Sequence, residues 1–142
     1  MIEQINVFVE NKPGRLKKIT GILKDSKINM RALEIQDRGE FGIMKLLVDD
    51  PGKAQKALAD AGLAAALKPV LAVTIDDKPG GLFRLCEFMD GKGINMLDAY
   101  GFVVESQKTA IWCFEVQDPA AVEALLAQAG FVLPTAADIY SL

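Results

Sequence analysis

The sequence lacks histidine altogether, and it has two cysteines, no long apolar run and no excess of basic charge. Without histidine, the commonest general base and the commonest metal ligand are missing. A net charge of −3, with acidic and basic residues intermixed, argues against a nucleic-acid partner. No apolar stretch approaches the roughly 20 residues that span a bilayer, and the N-terminus does not resemble a signal peptide. These absences predict a cytoplasmic protein with no nucleic-acid and no membrane partner.

The two cysteines and the scattered carboxylates offer little chemistry. Cys86 and Cys113 do not form a CxxC pair and lie in apolar segments, so we expect both to be reduced core thiols. Acidic pairs such as Asp49 and Asp50 stand beside a proline or at a strand end, where turn chemistry is usual. We therefore expect no catalytic residue, no metal site, no cofactor and no enzyme activity.

What the chain does contain is an internal repeat. The segment NKPGRLKKITGILKDSKINMRAL (11–33) aligns without a gap on DKPGGLFRLCEFMDGKGINMLDA (77–99). The preceding stretches, INVFVE and LAVTID, match as well. Because one register holds over the whole length, the repeat indicates duplication of a single unit. We predict one domain over 1–69 and a second over 70–142.

Each copy changes its hydrophobic period in the same order. In the first copy, an alternating strand precedes a helix that begins at Pro13, and two further strands form a hairpin around Gly39. A second helix begins near Pro51 and ends at Gly62, and a short strand then leads through Pro69 into the second copy. The second copy repeats this order and is expected to end in a strand near ADIYSL.

The order strand, helix, strand, strand, helix, strand is that of the ferredoxin-like arrangement. We predict an α+β fold in which two βαββαβ units pack side by side into an extended antiparallel sheet, with the helices on one face. Each copy is small for an independent domain, and open sheet edges favour further pairing. We therefore also expect a homodimer.

Two corners of the form (Asn/Asp)-x-Pro-Gly-x-Leu, NKPGRL and DKPGGL, are each followed by INM, which begins 14 residues after the glycine. This pattern resembles ACT domains in tandem, and the resemblance covers essentially the whole chain. It implies a stand-alone regulatory protein that binds an amino acid or a similar small metabolite at interfaces between domains. It implies sensing instead of catalysis.

The physical chemistry of the corners supports a ligand site in each copy. A proline at the first helical position leaves the following amides free to hold a carboxylate, and glycine allows a close approach to the backbone. In the family arrangement, the INM segment would face the corner of a neighbouring domain. The predicted ligand-binding residues are Asn11, Pro13, Gly14, Arg15, Leu16, Ile28 and Asn29 in the first copy, and Asp77, Pro79, Gly80, Gly81, Leu82, Ile94, Asn95 and Met96 in the second.

Structural roles for the same residues stay open. Asn11 and Asp77 also fit Asx turns that bond their own backbone, and the INM residues fit core and turn positions. The corners are unequal as well, because Arg15 stands where the second copy has Gly81. If a cation holds the carboxylate, the first corner is the better site; if a second glycine is needed, the second corner is.

Three functions follow from this pattern. The first is a non-catalytic amino-acid sensor. The alternative is a regulatory subunit that docks on a biosynthetic enzyme or regulator, with or without ligand. A small enzyme on the same fold is the weakest hypothesis, since neither a nucleophile–base pair nor a metal-ligand set is visible in the sequence.

Overall fold

The computed structural model describes all residues from Met1 to Leu142. Its elements follow the predicted order of two successive copies except around Pro69 and at the C-terminus. In chain order they are β1 (Ile2–Glu10), α1 (Arg15–Asp25), β2 (Met30–Asp37), β3 (Phe41–Val48), α2 (Pro51–Asp60), β4 (Ala64–Asp76), α3 (Gly81–Gly91), β5 (Asp98–Glu105), β6 (Thr109–Glu115), α4 (Pro119–Gln128) and α5 (Ala136–Tyr140). None of these helices is long and apolar enough to cross a membrane.

The chain divides into two compact units. The N-terminal unit comprises Glu3–Lys68 with Ile139–Leu142, and the C-terminal unit comprises Pro69–Asp138 with Met1–Ile2. Strand β4 therefore gives its first residues to one unit and the remainder to the other. The sequence predicted two separate short strands around Pro69, and that detail is wrong, because β4 runs without interruption through this residue.

In the N-terminal unit, β3 lies between β1 and β2 and is antiparallel to both. Val7 pairs with Met44, and Leu33 pairs with Leu46. Alternate residues of the strands point to the same face as the apolar stripes of α1 and α2. The buried core on that face consists of Ile5, Val7, Val9, Ile19, Leu23, Ile28, Met44, Leu46, Val48, Ala54 and Leu58.

The C-terminal unit repeats this arrangement, with β6 between β4 and β5 and antiparallel to both. Val73 pairs with Trp112, and Ala99 pairs with Phe114. Its buried core consists of Leu71, Val73, Leu85, Met89, Phe114, Val116, Val122 and Leu126. The α+β fold built from two repeated, antiparallel ferredoxin-like units is thus confirmed.

The second helix of each unit begins with a conventional cap. Asp50 accepts a hydrogen bond from the Lys53 amide at 3.0 Å, and Asp118 accepts one from the Ala121 amide at 3.1 Å. A proline occupies the first turn of both helices, as expected for Pro51. These caps satisfy amides that have no partner within the helix.

The predicted closing strand near ADIYSL is wrong, because these residues form the short helix α5. Thr135 and Asp138 explain the helix, since each backbone amide donates to the other residue's side chain.

The position of the fourth strand in the C-terminal unit is held by a single bridge between Thr74 and Val132. In the N-terminal unit, the Tyr140 carbonyl accepts a hydrogen bond from Arg31 at 2.6 Å.

The expectation for the cysteines is half confirmed. Cys113 is buried, and burial raises the pKa of its thiol to about 12. Cys86 is exposed, contrary to the prediction. The difference follows from helix geometry: Leu85 and Met89 face the core on one stripe of α3, and a residue next to that stripe is turned by about 100°.

Candidate functional site

The two Pro-Gly corners adopt the same backbone conformation. Gly14 is the N-cap of α1 and Gly80 is the N-cap of α3, each with φ 88° and ψ −9°. This left-handed conformation favours glycine strongly, because a Cβ would clash with the backbone. The helices begin one residue later, so Pro13 and Pro79 lie in the preceding turns and not at the first helical position as predicted.

The turn before each helix uses one of the amides that were expected to be free. The Arg15 amide donates to the Lys12 carbonyl at 3.4 Å, and the Gly81 amide donates to the Lys78 carbonyl at 3.0 Å. The amides of the next two positions have no acceptor within an α-helix. No side chain caps α1 or α3, and neither helix has an acidic residue in its first turn. The corners therefore present uncapped helix ends, unlike α2 and α4.

Asn11 anchors the hairpin between β2 and β3. Its Nδ2 donates to the Asp37 carboxylate at 2.9 Å and to the Gly39 carbonyl at 3.1 Å, and its backbone amide donates to the Glu40 carbonyl at 2.9 Å. Both side-chain amide hydrogens are thus engaged within the unit. The Oδ1 atom remains as the acceptor that could meet a ligand.

Asp77 has the same task in the C-terminal unit. Its carboxylate accepts a hydrogen bond from the Gln107 amide at 2.7 Å, and its own amide donates to the Lys108 carbonyl at 3.1 Å. The side chains of Asn11 and Asp77 therefore bond a hairpin some 30 residues away along the sequence, not their own backbone. Ligand contact by either residue stays a prediction.

The first corner carries a small ion-pair cluster. The Glu10 carboxylate bonds the Lys12 ammonium and, at 3.0 Å, a guanidinium nitrogen of Arg15. The hydrogen bond from Lys12, followed by the one from Arg15, lowers the pKa of Glu10. Two cations share one carboxylate here, so this cluster has an excess of positive charge beside the helix N-terminus.

The second corner has one ion pair and tighter backbone packing. The Asp76 carboxylate lies 2.8 Å from the Lys78 ammonium, which lowers the pKa of Asp76. A Cβ added to Gly81 would overlap the carbonyl oxygen of Asp76. Gly81 is thus required by packing between helix and strand.

A cavity of about 400 Å³ opens at the first corner on the side of the β2–β3 hairpin. Five of the predicted residues of the first copy line it, namely Asn11, Pro13, Gly14, Arg15 and Leu16. The rest of its wall comes from the strands and the ion-pair cluster: Val9, Glu10, Lys12, Ile35, Gln36, Asp37, Gly42 and Met44. We refer to it as the hairpin-side cavity.

The cavity at the second corner, about 410 Å³, lies on the other side, against the segment that follows α4. Three predicted residues line it, Pro79, Gly80 and Gly81, whereas Asp77 and Leu82 are not part of its wall. Its other lining residues are Thr74, Ile75, Asp76, Lys78, Arg84, Gly130, Phe131 and Val132. The Arg84 guanidinium stacks 5.1 Å above the centroid of the Phe131 ring, within cation–π range.

The first corner also has a groove at the position equivalent to the cavity of the second corner. It faces the segment after α2, and its lining residues are Phe8, Val9, Glu10, Arg15, Lys18, Phe41, Gly62, Leu63 and Ala64. Lys18 stands one helical turn after its glycine N-cap, as Arg84 does in the C-terminal unit. Each corner therefore has a cation one turn into its helix.

The INM residues do not meet the corner of their own unit. Ile28 and Asn29 follow the C-terminal end of α1, and this 11-residue helix is about 16 Å long at 1.5 Å per residue. Ile28 is buried in the core, and Asn29 is exposed, with its amide donating to Asp49 at 3.0 Å. In the other unit, Ile94 and Met96 pack against the core, and Asn95 is exposed.

Sequence reasoning missed the hairpin wall, the part of the first cavity formed by Ile35, Asp37 and Met44, and it missed Arg84, the cation that stacks on Phe131. Asp37, Ile35 and Met44 join the first corner only through strand pairing, which the sequence pattern did not resolve to single residues. Arg84 could have been found, because the ungapped repeat aligns it with Lys18 one turn after each Pro-Gly pair.

The matching family model is described as an ACT domain pair and covers residues 1–134. The chain belongs to this family, as the corner pattern indicated. No curated protein matches the sequence.

Solved structures share the fold over nearly the full chain. Protein BT0572 from Bacteroides thetaiotaomicron is 30% identical, with a TM-score of 0.92, covering 99% of this chain and 96% of its own. The ligand-free regulatory subunit of aspartate kinase from Thermus thermophilus is 19% identical, with a TM-score of 0.65 and coverages of 90% and 92%. The corresponding subunit from Thermus flavus is 17% identical, with a TM-score of 0.57 and coverages of 89% and 91%.

Proposed function

We propose that this protein is a non-catalytic, cytoplasmic regulatory sensor that binds a free amino acid or a similar small metabolite at its Pro-Gly corners. One observation carries the proposal. The helix behind each corner begins at a left-handed glycine with no side-chain cap, and a cavity of about 400 Å³ lies beside it. Helices α2 and α4, by contrast, are each capped by an aspartate.

A zwitterionic ligand fits the charges of the first corner. Its carboxylate would accept from the uncapped amides of Leu16 and Lys17, where the helix dipole favours negative charge. Arg15, now paired with Glu10, adds a second donor. The ammonium group of the ligand would then meet the Oδ1 atom of Asn11 or the carboxylate of Glu10. An amino acid thus supplies both charges in the arrangement that this corner offers.

The remaining wall of the site is proposed to come from the INM segment of a neighbouring ACT unit, since no unit brings this segment to its own corner. A homodimer would supply such neighbours. The edge strands β2 and β5 support this assembly, because in its own unit each pairs with one strand only. Analytical ultracentrifugation would show a dimer, and a monomer at micromolar concentration would contradict this part of the proposal.

The test uses a matched pair of substitutions at equivalent, exposed positions, Lys17→Glu and Phe83→Glu. A glutamate at the third position of a helix reaches back to the amide of the N-cap glycine and suits the dipole, so neither change should destabilise the fold. Each fills one corner with a carboxylate of its own. Lys17→Ala and Phe83→Ala are the controls that remove the side chain without adding an acid.

Binding is first measured by thermal shift against the common L-amino acids and then by calorimetry for those that stabilise the protein. We expect each glutamate variant to lose the binding at its own corner, and the matching alanine variant to retain it. Binding with unchanged stoichiometry and affinity in both glutamate variants would place the ligand elsewhere. No binding by the folded protein to any amino acid would contradict the sensor function.

A second candidate, docking on a biosynthetic enzyme or regulator, is favoured by an exposed aromatic pair. Phe8 and Phe41 stack at 5.3 Å, and each is about half exposed. Aromatic residues, phenylalanine included, are enriched in the cores of protein interfaces. Recovery of one stoichiometric enzyme by the tagged protein, lost in Phe8→Ser, would favour this function, whereas recovery unaffected by this substitution would contradict docking through the pair.

A further inference from the structure

The two corners differ in how side-chain volume is divided between the two paired strands of the hairpin. The N-terminal unit has a medium-sized residue on each strand, and the C-terminal unit has a glycine on one strand and a tryptophan on the other. In the N-terminal unit, Ile35 pairs directly with Met44, and both line the hairpin-side cavity. The equivalent pair in the C-terminal unit is Gly101 with Trp112. The equivalence is fixed by the strand registers, since both pairs lie two residues beyond a matching pair of core residues.

The Trp112 indole covers the place where a residue like Ile35 would stand. A Cβ added to Gly101 would come within 2.6 Å of Cε3 and 3.0 Å of Cζ3 of the indole. The ring also packs against the apolar core of the C-terminal unit. Its Nε1 atom is buried and has no hydrogen-bond partner, so the ring is positioned by packing alone. In the C-terminal unit, the Trp112 ring therefore fills the space at the hairpin that the Ile35 side chain occupies in the N-terminal unit.

The hairpin-side cavity of the N-terminal unit combines a charged rim with an apolar floor. Val9 and Met44, both buried, form the floor. Leu16 and Ile35, 41% and 49% exposed, leave apolar surface at the mouth. The ion pairs of Glu10 stand on the side of the helix N-terminus, and the Asp37 carboxylate, which accepts from Asn11 Nδ2 and from the Gly39 amide, stands at the hairpin. A ligand held by its charged groups at the rim would therefore rest its side chain on apolar atoms.

We infer that the hairpin-side cavity is the side-chain pocket for an amino acid with an apolar side chain, and that Trp112 closes the corresponding pocket of the C-terminal unit. Each chain then binds one such ligand in this mode. This inference rests on the proposed function and adds to it the class of ligand and the unit that takes it. Ile35 and Met44 are the residues that determine specificity.

The experiment compares calorimetric titrations with L-leucine and with L-aspartate, using the full chain. Ile35→Asn is the first variant, because this half-exposed residue can be changed without opening the core. Its control is Val103→Asn, an exposed apolar residue on the equivalent strand of the other unit. We expect Ile35→Asn to weaken L-leucine binding about tenfold, the loss expected when a pocket gives up one or two methylene contacts. Val103→Asn should leave binding unchanged.

Reciprocal double variants test the closure by Trp112. Gly101→Ile with Trp112→Met copies the open wall into the C-terminal unit, and we expect a second equivalent of L-leucine per chain. Ile35→Gly with Met44→Trp copies the closed wall into the N-terminal unit, and we expect L-leucine binding to be lost. Circular dichroism establishes that each variant is folded, and the single Ile35→Asn change provides the test if a double variant does not fold.

The results separate this inference from the proposed function. Saturable binding of L-aspartate without L-leucine would overturn the inference and leave the sensor function in place. The same would follow if L-leucine bound with unchanged affinity to Ile35→Asn. If no amino acid bound to the unmodified protein, both would be overturned.

Discussion

The first corner, at Gly14, and the second, at Gly80, have the same φ and ψ at the helix start, and each is tied to its hairpin by the residue three places before the glycine. The side chains around this shared backbone differ. Arg15 extends from the first helix where Gly81 packs against a strand carbonyl in the second. After duplication, the conformation that requires glycine was kept, while side-chain volume and charge at the two walls diverged.

The difference matters because ligand recognition depends on the wall more than on the helix end. Uncapped amides can hold any carboxylate. The residues that distinguish one ligand from another are those that line the cavity, and here the first corner has a hairpin-side cavity in addition to the groove that matches the cavity of the second corner. Two copies of one backbone can thus serve two recognition tasks, or one task and one structural role.

The largest effect is expected from alanine at the first helical position. Gly81→Ala would push a Cβ into the Asp76 carbonyl, and relieving this overlap by a backbone shift costs about 3 kcal/mol of the free energy of unfolding. At the equivalent position, Arg15→Ala removes only a partly exposed ion pair and should change stability by about 0.5 kcal/mol or less. Urea unfolding measures both, and equal losses would show that the corners are not packed differently.

A smaller loss is expected at the hairpin wall. Gly101→Ala forces the Trp112 ring to move, which we expect to cost about 2 kcal/mol. Combined with Trp112→Met, the same change should be nearly neutral, so a double-mutant cycle should give a coupling free energy of about 1–2 kcal/mol. Additive effects of the two changes would contradict the volume exchange between Gly101 and Trp112.

Asn11 and Asp77, the residues that bond the hairpins, should respond differently when the side-chain amide and carboxylate are exchanged. Asn11→Asp replaces two donors with a carboxylate that faces Asp37, and at neutral pH it should cost about 1–2 kcal/mol. Asp77→Asn keeps an oxygen that accepts from the Gln107 amide and should cost about 0.5–1 kcal/mol.

The pH dependence of the Asn11→Asp variant provides the check. The loss in Asn11→Asp should shrink as the pH falls through the carboxyl range, because protonation removes the repulsion from Asp37. Chemical denaturation at neutral and acid pH measures this change. A loss in Asn11→Asp that does not change with pH would mean that the two carboxylates do not interact.

The smallest effect concerns the ion pairs. The hydrogen bond from Lys12, followed by the one from Arg15, holds the pKa of Glu10 below its usual range. The folded state therefore holds the carboxyl proton of Glu10 less tightly than the unfolded chain does. The resulting stabilisation is present above the unfolded pKa and is lost as the pH falls through the lowered one. Carboxyl NMR titration should show the Glu10 pKa rising in Arg15→Ala and rising further in Lys12→Ala. The Asp76 pKa, which Lys78 lowers, should stay unchanged in both variants.

The sequence was sufficient to predict the repeated fold, because one gap-free register specified both copies at once. It also located the corners, since a Pro-Gly pair after an alternating strand limits where a helix can begin. It did not reveal the left-handed N-cap, which moved the helix starts past Pro13 and Pro79. The reciprocal cap between Thr135 and Asp138 went unnoticed beside the apolar residues that suggested a strand.

The hairpin wall was beyond prediction for a different reason. Ile35 and Met44 reach the corner through pairing between β2 and β3, and a shift of one residue in that register would turn both away from the core face. In the first copy the INM segment runs into β2, which begins at Met30, whereas in the second copy the strand begins only at Asp98. What the INM residues contact beyond their own unit stays a prediction.

The most direct test of ligand binding at the first corner is an amide NMR titration of the full chain with L-leucine, following the backbone signals at the start of α1. We predict that the Leu16 and Lys17 amides shift most and saturate together, because they would donate to the ligand's carboxylate. The equivalent amides at Leu82 and Phe83 should move much less. Saturating shifts that leave Leu16 and Lys17 unaffected would contradict the assignment of the first corner as the ligand site.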